Sequence, residues 1–162
     1  MSRARIFVTI CFLLNLAAVC SAQSETSTAT CTLADDREVR VNFNSVTTKN
    51  DKPPNGKPWA PGGAPMLLFT TVELTLGGST IPVGAYTVYP IPGKAWTLVV
   101  NKNVAPGSPY DEKQNIARSP METDQIDQVQ DSLEVAFAHV GSKCTLRIYF
   151  GKVASFADFT AK

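Results

Sequence analysis

The chain has 162 residues, of which 44% are hydrophobic and 18% charged, and its formal charge is +1. A balance this close to neutral gives no electrostatic case for a nucleic acid or an anionic membrane surface as partner. The length suits one domain built round one core.

The N-terminus opens on the basic stretch Met1-Ser2-Arg3-Ala4-Arg5 and runs into an apolar segment, Ile6 to Val19, broken only by Thr9 and Asn15. Cys20-Ser21-Ala22 follows. A basic start, an apolar centre and small residues at the exit are the three parts of a secretory signal, so residues 1–22 are expected to be cleaved after Ala22. The run is shorter than the about 20 apolar residues a membrane span needs. A lipid anchor on Cys20 is disfavoured, because bulky Val19 precedes it where a small residue is normal. Loss of Arg3 and Arg5 with the signal takes the 15 basic residues to 13 against 14 acidic ones, and the charge from +1 to −1.

Export sets the expectations for the remaining chain: periplasm or medium, no further apolar run of membrane length, and an oxidising compartment. Cys31 and Cys144 are then expected to form a disulfide tying the N-terminal strand region to the penultimate strand; the alternative is two buried thiols. Two cysteines and one histidine are too few soft ligands for zinc, and no cofactor is expected.

In chain order, residues 23–37 read as a flexible leader and the start of the domain, with the Ser/Thr-rich part over 23–30. Residues 38–162 read as a single domain. Val39, Val41 and Phe43 alternate with Arg40 and Asn42, a half-buried strand. Residues 47–65 hold five of the eleven prolines and three of the ten glycines, which predicts a long loop. Met66 to Leu76 reads as one strand, Gly77-Gly78 as a tight turn, and Ser79 to Pro82 as the start of the return.

Gly84 to Ile91 is predicted as a strand with Tyr86 and Val88 on one face and Thr87, Tyr89 and Ile91 on the other. Pro92-Gly93 turns the chain, and Ala95 to Asn101 forms the next strand. A polar loop over 105–115 leads to an edge strand, Ile116 to Met121, where Pro120 is tolerated. Asp124 to Gln130 could make one helical turn. Strands from Leu133 to Phe137, from Cys144 to Phe150 and from Val153 to Phe159 complete the chain, with Gly141-Ser142 turning between the first two. About seven or eight short strands with Gly/Pro turns predict an all-β antiparallel sandwich or flattened barrel.

The stretch from Gly77 to Lys102, GGSTIPVGAYTVYPIPGKAWTLVVNK, resembles the core motif of a family of exported bacterial proteins, domain of unknown function 2911. Its Gly-Gly turn, Ile-Pro-x-Gly step, Tyr-Thr strand, Ile-Pro-Gly turn, Trp-Thr strand and terminal Asn-Lys are all present, with Val83 replacing the usual Ala. Cys31-Thr32-Leu33, Cys144-Thr145-Leu146 and Tyr110-Asp111-Glu112 extend the likeness over most of the mature chain. The resemblance implies export and an all-β fold, and almost nothing of activity. Family members often carry Trp-Arg-x-Gly-Ala-Asn-Glu-Ala-Thr before the strand leading into Gly-Gly. Here that region is Trp59-Ala60-Pro61-Gly62-Gly63-Ala64-Pro65-Met66-Leu67, without the Arg, the Asn or the Glu. The motif also has a purely structural account: glycines at turns, prolines ending strand pairing, and Tyr86 and Trp96 as core anchors.

The groups that could carry chemistry are few. His139 is the single histidine and falls at a strand end before Gly141, with no nucleophile motif near it. Carboxylates occur at Asp35-Asp36, Asp111-Glu112, Glu122, Asp124, Asp127 and Asp131. No catalytic, metal or cofactor residue is assigned. The most credible ligand contacts are aromatic: Trp59 in the Pro/Gly loop, and Tyr89, Tyr110 and Tyr149 off the main apolar faces or in loops. Exposed, they would suit sugar-ring stacking or a protein anchor; alternatively Trp59 folds its own loop onto the body. The sequence therefore leads to a non-enzymatic exported protein that binds a small molecule, a glycan or an envelope protein. A carbohydrate-binding module and a hydrolase using carboxylates or His139 are the alternatives.

Overall fold

The structure, a computed structural model, describes residues 25–162. The expected secretion signal over 1–22 and the disfavoured lipid anchor on Cys20 fall outside the described residues.

The described chain is an all-β sandwich of two antiparallel sheets, not closed into a barrel. The six-stranded sheet holds β1 (Thr26–Thr32), β2 (Glu38–Asn44), β3 (Met66–Thr70), β6 (Gly84–Ile91), β7 (Thr97–Asn101) and β8 (Asn115–Pro120), in the order β1-β2-β3-β6-β7-β8. The four-stranded sheet holds β4 (Leu74–Leu76), β5 (Ser79–Ile81), β9 (Glu122–Val140) and β10 (Lys143–Ala161), in the order β5-β4-β10-β9. Val41, Leu68, Val88 and Leu98 from the first sheet and Leu74, Leu146, Ile148 and Phe159 from the second are fully buried in the core between them. Period-2 alternation explains most of this, since successive side chains point to opposite faces of a strand. Among the described residues, no helix is long and apolar enough to cross a membrane.

Three elements differ from the sequence reading. The leader read as flexible becomes strand β1 from Thr26, paired along its length with β2 from Thr26↔Asn44 to Thr32↔Glu38. Its Ser/Thr composition is that of an exposed edge, with Ala29 and Cys31 pointing inward. Met66 to Leu76 is two strands, one in each sheet, because the chain crosses the sandwich at Thr71–Glu73; the Thr70 hydroxyl donates to Val72 O at 2.6 Å inside that crossing.

The helical turn read over 124–130 is the outer part of β9. Asp124 and Gln125 pair with Ala154 and Val153, and Thr48 N donates to Asp131 O at 2.9 Å. Long-range pairing overrides local propensity here.

The 19 residues of β10 do not run straight. Extended, they would span on the order of 60 Å, yet Ala161 N donates to Ser142 O at 2.7 Å and the Thr145 hydroxyl to Asp158 Oδ1 at 2.6 Å. The strand doubles back at Gly151, whose φ of 61° suits such a corner. Strand β9 passes round its tip, with Glu122–Gln125 beside 153–156 and 134–140 beside 143–149. The Cys31–Cys144 disulfide, with Cα atoms 6.1 Å apart, joins β1 to β10 and so links the two sheets.

Candidate functional site

Strand β6 is buried on both faces. Tyr86 and Val88 enter the core between the sheets, whereas Tyr89 and its register partner Val99 on β7 are buried apart from it, on the outer face of the six-stranded sheet. The cover over that face is the loop after β7, and Asn101 holds it. This side chain is 1% exposed. Its Nδ2 donates to Asp111 O at 2.7 Å and to Asn115 Oδ1 at 2.9 Å, and its Oδ1 accepts from Asn103 N at 2.9 Å. The Thr87 hydroxyl donates to Asn103 O at 3.0 Å. Asn115 Nδ2 in turn donates to the Tyr110 hydroxyl at 2.7 Å. Tyr110 is thereby stood edge-on against Tyr89, with ring centroids 5.0 Å apart.

The opposite wall is the end of the long Pro/Gly loop. Trp59 is 2% exposed, packed against Phe150 at 5.0 Å and edge-on to Trp96 at 5.9 Å. Its backbone N donates to Pro90 O at 2.8 Å and its Nε1 to Asp51 Oδ1 at 3.1 Å. The other oxygen of Asp51 accepts from Gly62 N at 2.7 Å. One carboxylate therefore latches both the indole and the following 3₁₀ turn, Pro61–Gly63.

Between these walls lies a cleft of about 510 Å³, with Leu67, Thr87 and Tyr89 at its base and Pro58, Ala64, Pro106 and Pro109 among its sides. None of the described residues that line it is charged. The volume falls within the about 300–1,000 Å³ of small-molecule sites. Burial pushes the Tyr89 phenol above its ordinary value, so it stays a neutral hydroxyl at physiological pH. Hydroxyl and amide groups on an apolar surface can orient a ligand. None of the lining side chains has an unperturbed pKa that would move a proton near neutrality.

Of the aromatic residues singled out by sequence, Tyr89 and Tyr110 meet in this cleft. Of the two readings of Trp59, the structure has the one in which it folds its own loop: it is a core residue that does not line the cleft, and its indole N–H and backbone N–H bond to Asp51 and Pro90. Tyr149 lies on β10 in the other sheet, against Phe156 at 6.0 Å, and does not line the cleft. His139 is exposed, its Nε2 bonded to Gly141 O at 2.6 Å. The carboxylates are dispersed: Asp35 pairs with Arg37, Asp111 caps the turn at Lys113 N, and Asp124, Asp127 and Asp131 are exposed along β9. Among the described residues no group of three His, Cys, Asp or Glu side chains comes together to hold a metal.

Sequence reading missed the two walls. The loop read as polar over 105–115 begins on the apolar Val104-Ala105-Pro106, and Asn101 gave no sign of its bonding role beyond its place in the motif. One signal was present: Ala60, Ala64 and Pro65, which stand where the family pattern carries Arg, Asn and Glu, all line the cleft.

No curated protein and no solved structure matches this chain. Residues 24–157 match the model of the family described as protein of unknown function DUF2911, and the chain belongs to that family.

Proposed function

We propose that this protein is an exported binding protein that catalyses no reaction, and that the cleft between residues 58–67 and 103–110 is its binding site. One observation carries the reading: a preformed cavity of about 510 Å³ with no charged side chain among the described residues that line it, where Tyr89 at the base meets Tyr110 of the wall. Convergence of aromatic rings and a few hydroxyls in a mostly apolar concavity is the usual form of a ligand site. Export rests on the three-part signal in residues 1–22 and fits the buried Cys31–Cys144 bond.

Burial of Trp59 removes the ring on which the carbohydrate-module reading depended. The exposed setting of His139, away from the cleft, counts against the hydrolase reading.

Native mass spectrometry on protein recovered from the exported compartment tests the proposal. The expected result is a reproducible added mass on the wild-type chain that a Tyr110→Ala variant loses and a His139→Ala variant keeps. An added mass indifferent to Tyr110→Ala, or a turnover abolished by His139→Ala, would overturn it.

A further inference from the structure

Resting on that reading of the cleft, we infer that its ligand is an uncharged, predominantly apolar small molecule that presents one hydrogen-bond acceptor to the Tyr110 hydroxyl. Three features of the site define this class.

The first is charge. None of the described lining residues is charged, so an ionised ligand group would lose its water with no counter-ion to replace it. Desolvating an unpaired charge is far more costly than desolvating an amide or a hydroxyl.

The second is the apolar surface. Leu67 lies on the outer face of β3, an orientation that normally carries a polar side chain in a sandwich. Val104 at the rim is 43% exposed, one of few large aliphatic side chains left to solvent among the described residues. Pro58, Pro106 and Pro109 continue this surface. A ligand that buried Leu67 and Val104 would gain about 25 cal/mol per Å² of apolar area removed from water.

The third is the hydrogen-bonding state of Tyr110. Its oxygen already accepts from Asn115 Nδ2 at 2.7 Å, and that amide is held by Asn101 through Asn115 Oδ1. The phenolic proton therefore remains to be donated, and the fixed Asn115–Tyr110 bond sets the side on which a ligand oxygen is met. Thr87 is different: its hydroxyl proton is already committed to backbone carbonyls. A sugar presents more hydroxyls than the few polar side chains of this lining, Tyr89, Asn103, Ser108 and Tyr110, would partner, whereas a ring system with one carbonyl, ether or hydroxyl oxygen needs only one partner.

The test uses two naphthalene dyes of similar size on the mature protein. Prodan is neutral and carries a ketone oxygen; 1-anilinonaphthalene-8-sulfonate is an anion. Prodan is expected to bind with one site per chain, and the sulfonate about tenfold or more weaker. Ala64→Glu, a charge placed on an exposed wall residue, should weaken prodan about tenfold or more, while Val140→Glu on the distant hairpin turn leaves it unchanged. Tyr110→Phe should shift bound prodan emission to the blue by removing the bond to its ketone, with the ring packing kept.

Equal binding of the two dyes, no binding of prodan, or prodan binding unaffected by Ala64→Glu would overturn the inference. If prodan fails while the native added mass still disappears in Ala64→Glu, the cleft stands as the binding site and the ligand class assigned here falls.

Discussion

Gly77 and Gly78 share one two-residue turn, between Leu76 and Ser79, and both have positive φ, 56° and 82°. Their surroundings differ. A Cβ on Gly78 would meet no atom within 4 Å, whereas one on Gly77 would lie 2.5 Å from the backbone oxygen of Arg118 on β8. Gly78→Ala should therefore cost only the left-handed backbone penalty of about 1–2 kcal/mol. Gly77→Ala should cost clearly more, because backbone must move as well; paired urea midpoints check the order. Asp51 is the second telling position. Asp51→Ala leaves the buried Trp59 N–H and the Gly62 N–H without their acceptor, an expected loss of about 1–3 kcal/mol. Because the same loop walls the cleft, prodan affinity should fall with it, and Asp51→Asn, which keeps one oxygen, should lose less of both.

The doubled strand β10 makes a prediction of its own. Its two arms are clamped at the open end by Asp158, whose carboxylate takes the Lys143 ammonium at 2.8 Å and the Thr145 hydroxyl at 2.6 Å. The bonds from Lys143 first, and then from Thr145, hold the Asp158 carboxyl below its ordinary value of 3.8. A depressed folded-state value means that the stabilisation is fully present above the ordinary carboxylate range and is lost as pH falls through the folded value. The pair is about half exposed, so Asp158→Asn should cost no more than about 1 kcal/mol at neutral pH. The difference from wild type should vanish on acidification. A urea series from pH 7 downward reads it, and a gap that widened in acid would contradict this assignment.

Taken as one body, the sandwich has its outer strands brought together at both sides. The turn at Gly77 abuts β8, and residues 46–48 bond to β9 through Val46 O and Thr48 N. Such mutual cover protects sheet edges from pairing with other chains. The disulfide spans 113 residues of sequence and fastens the sheets near the β1–β9 side. Reduction, or Cys31→Ala with Cys144→Ala, should lower stability by about 2–5 kcal/mol, visible as a denaturation midpoint that drops with reductant. The cleft lies on β3, β6 and the loop after β7, elements that carry neither cysteine. Prodan binding should persist in the reduced protein below its unfolding transition. Alkylation of the unreduced protein should label neither Cys31 nor Cys144.

Much of this architecture was legible in the residues alone. Strand β6 runs from Gly84 to Ile91 as its alternation predicts, Gly77-Gly78 turns as two adjacent glycines predict, and Cys31 and Cys144 pair as an oxidising compartment predicts. These are local or compositional signals: a side chain's face follows from period 2, and positive φ follows from the lack of a Cβ. The burial of Trp59 was legible only as one of two alternatives, and the division of Met66 to Leu76 between two sheets, the strand at 124–130 and the cleft itself were not legible. Each depends on which distant backbone comes alongside: Pro90 and Asp51 for Trp59, 153–156 for the outer part of β9, Asn101 and Asn115 for Tyr110. Alternation marks Tyr89 as off the main core face, but only the folded loops turn that position from a solvent-facing ring into the base of a cleft with no charged side chain among the described residues that line it.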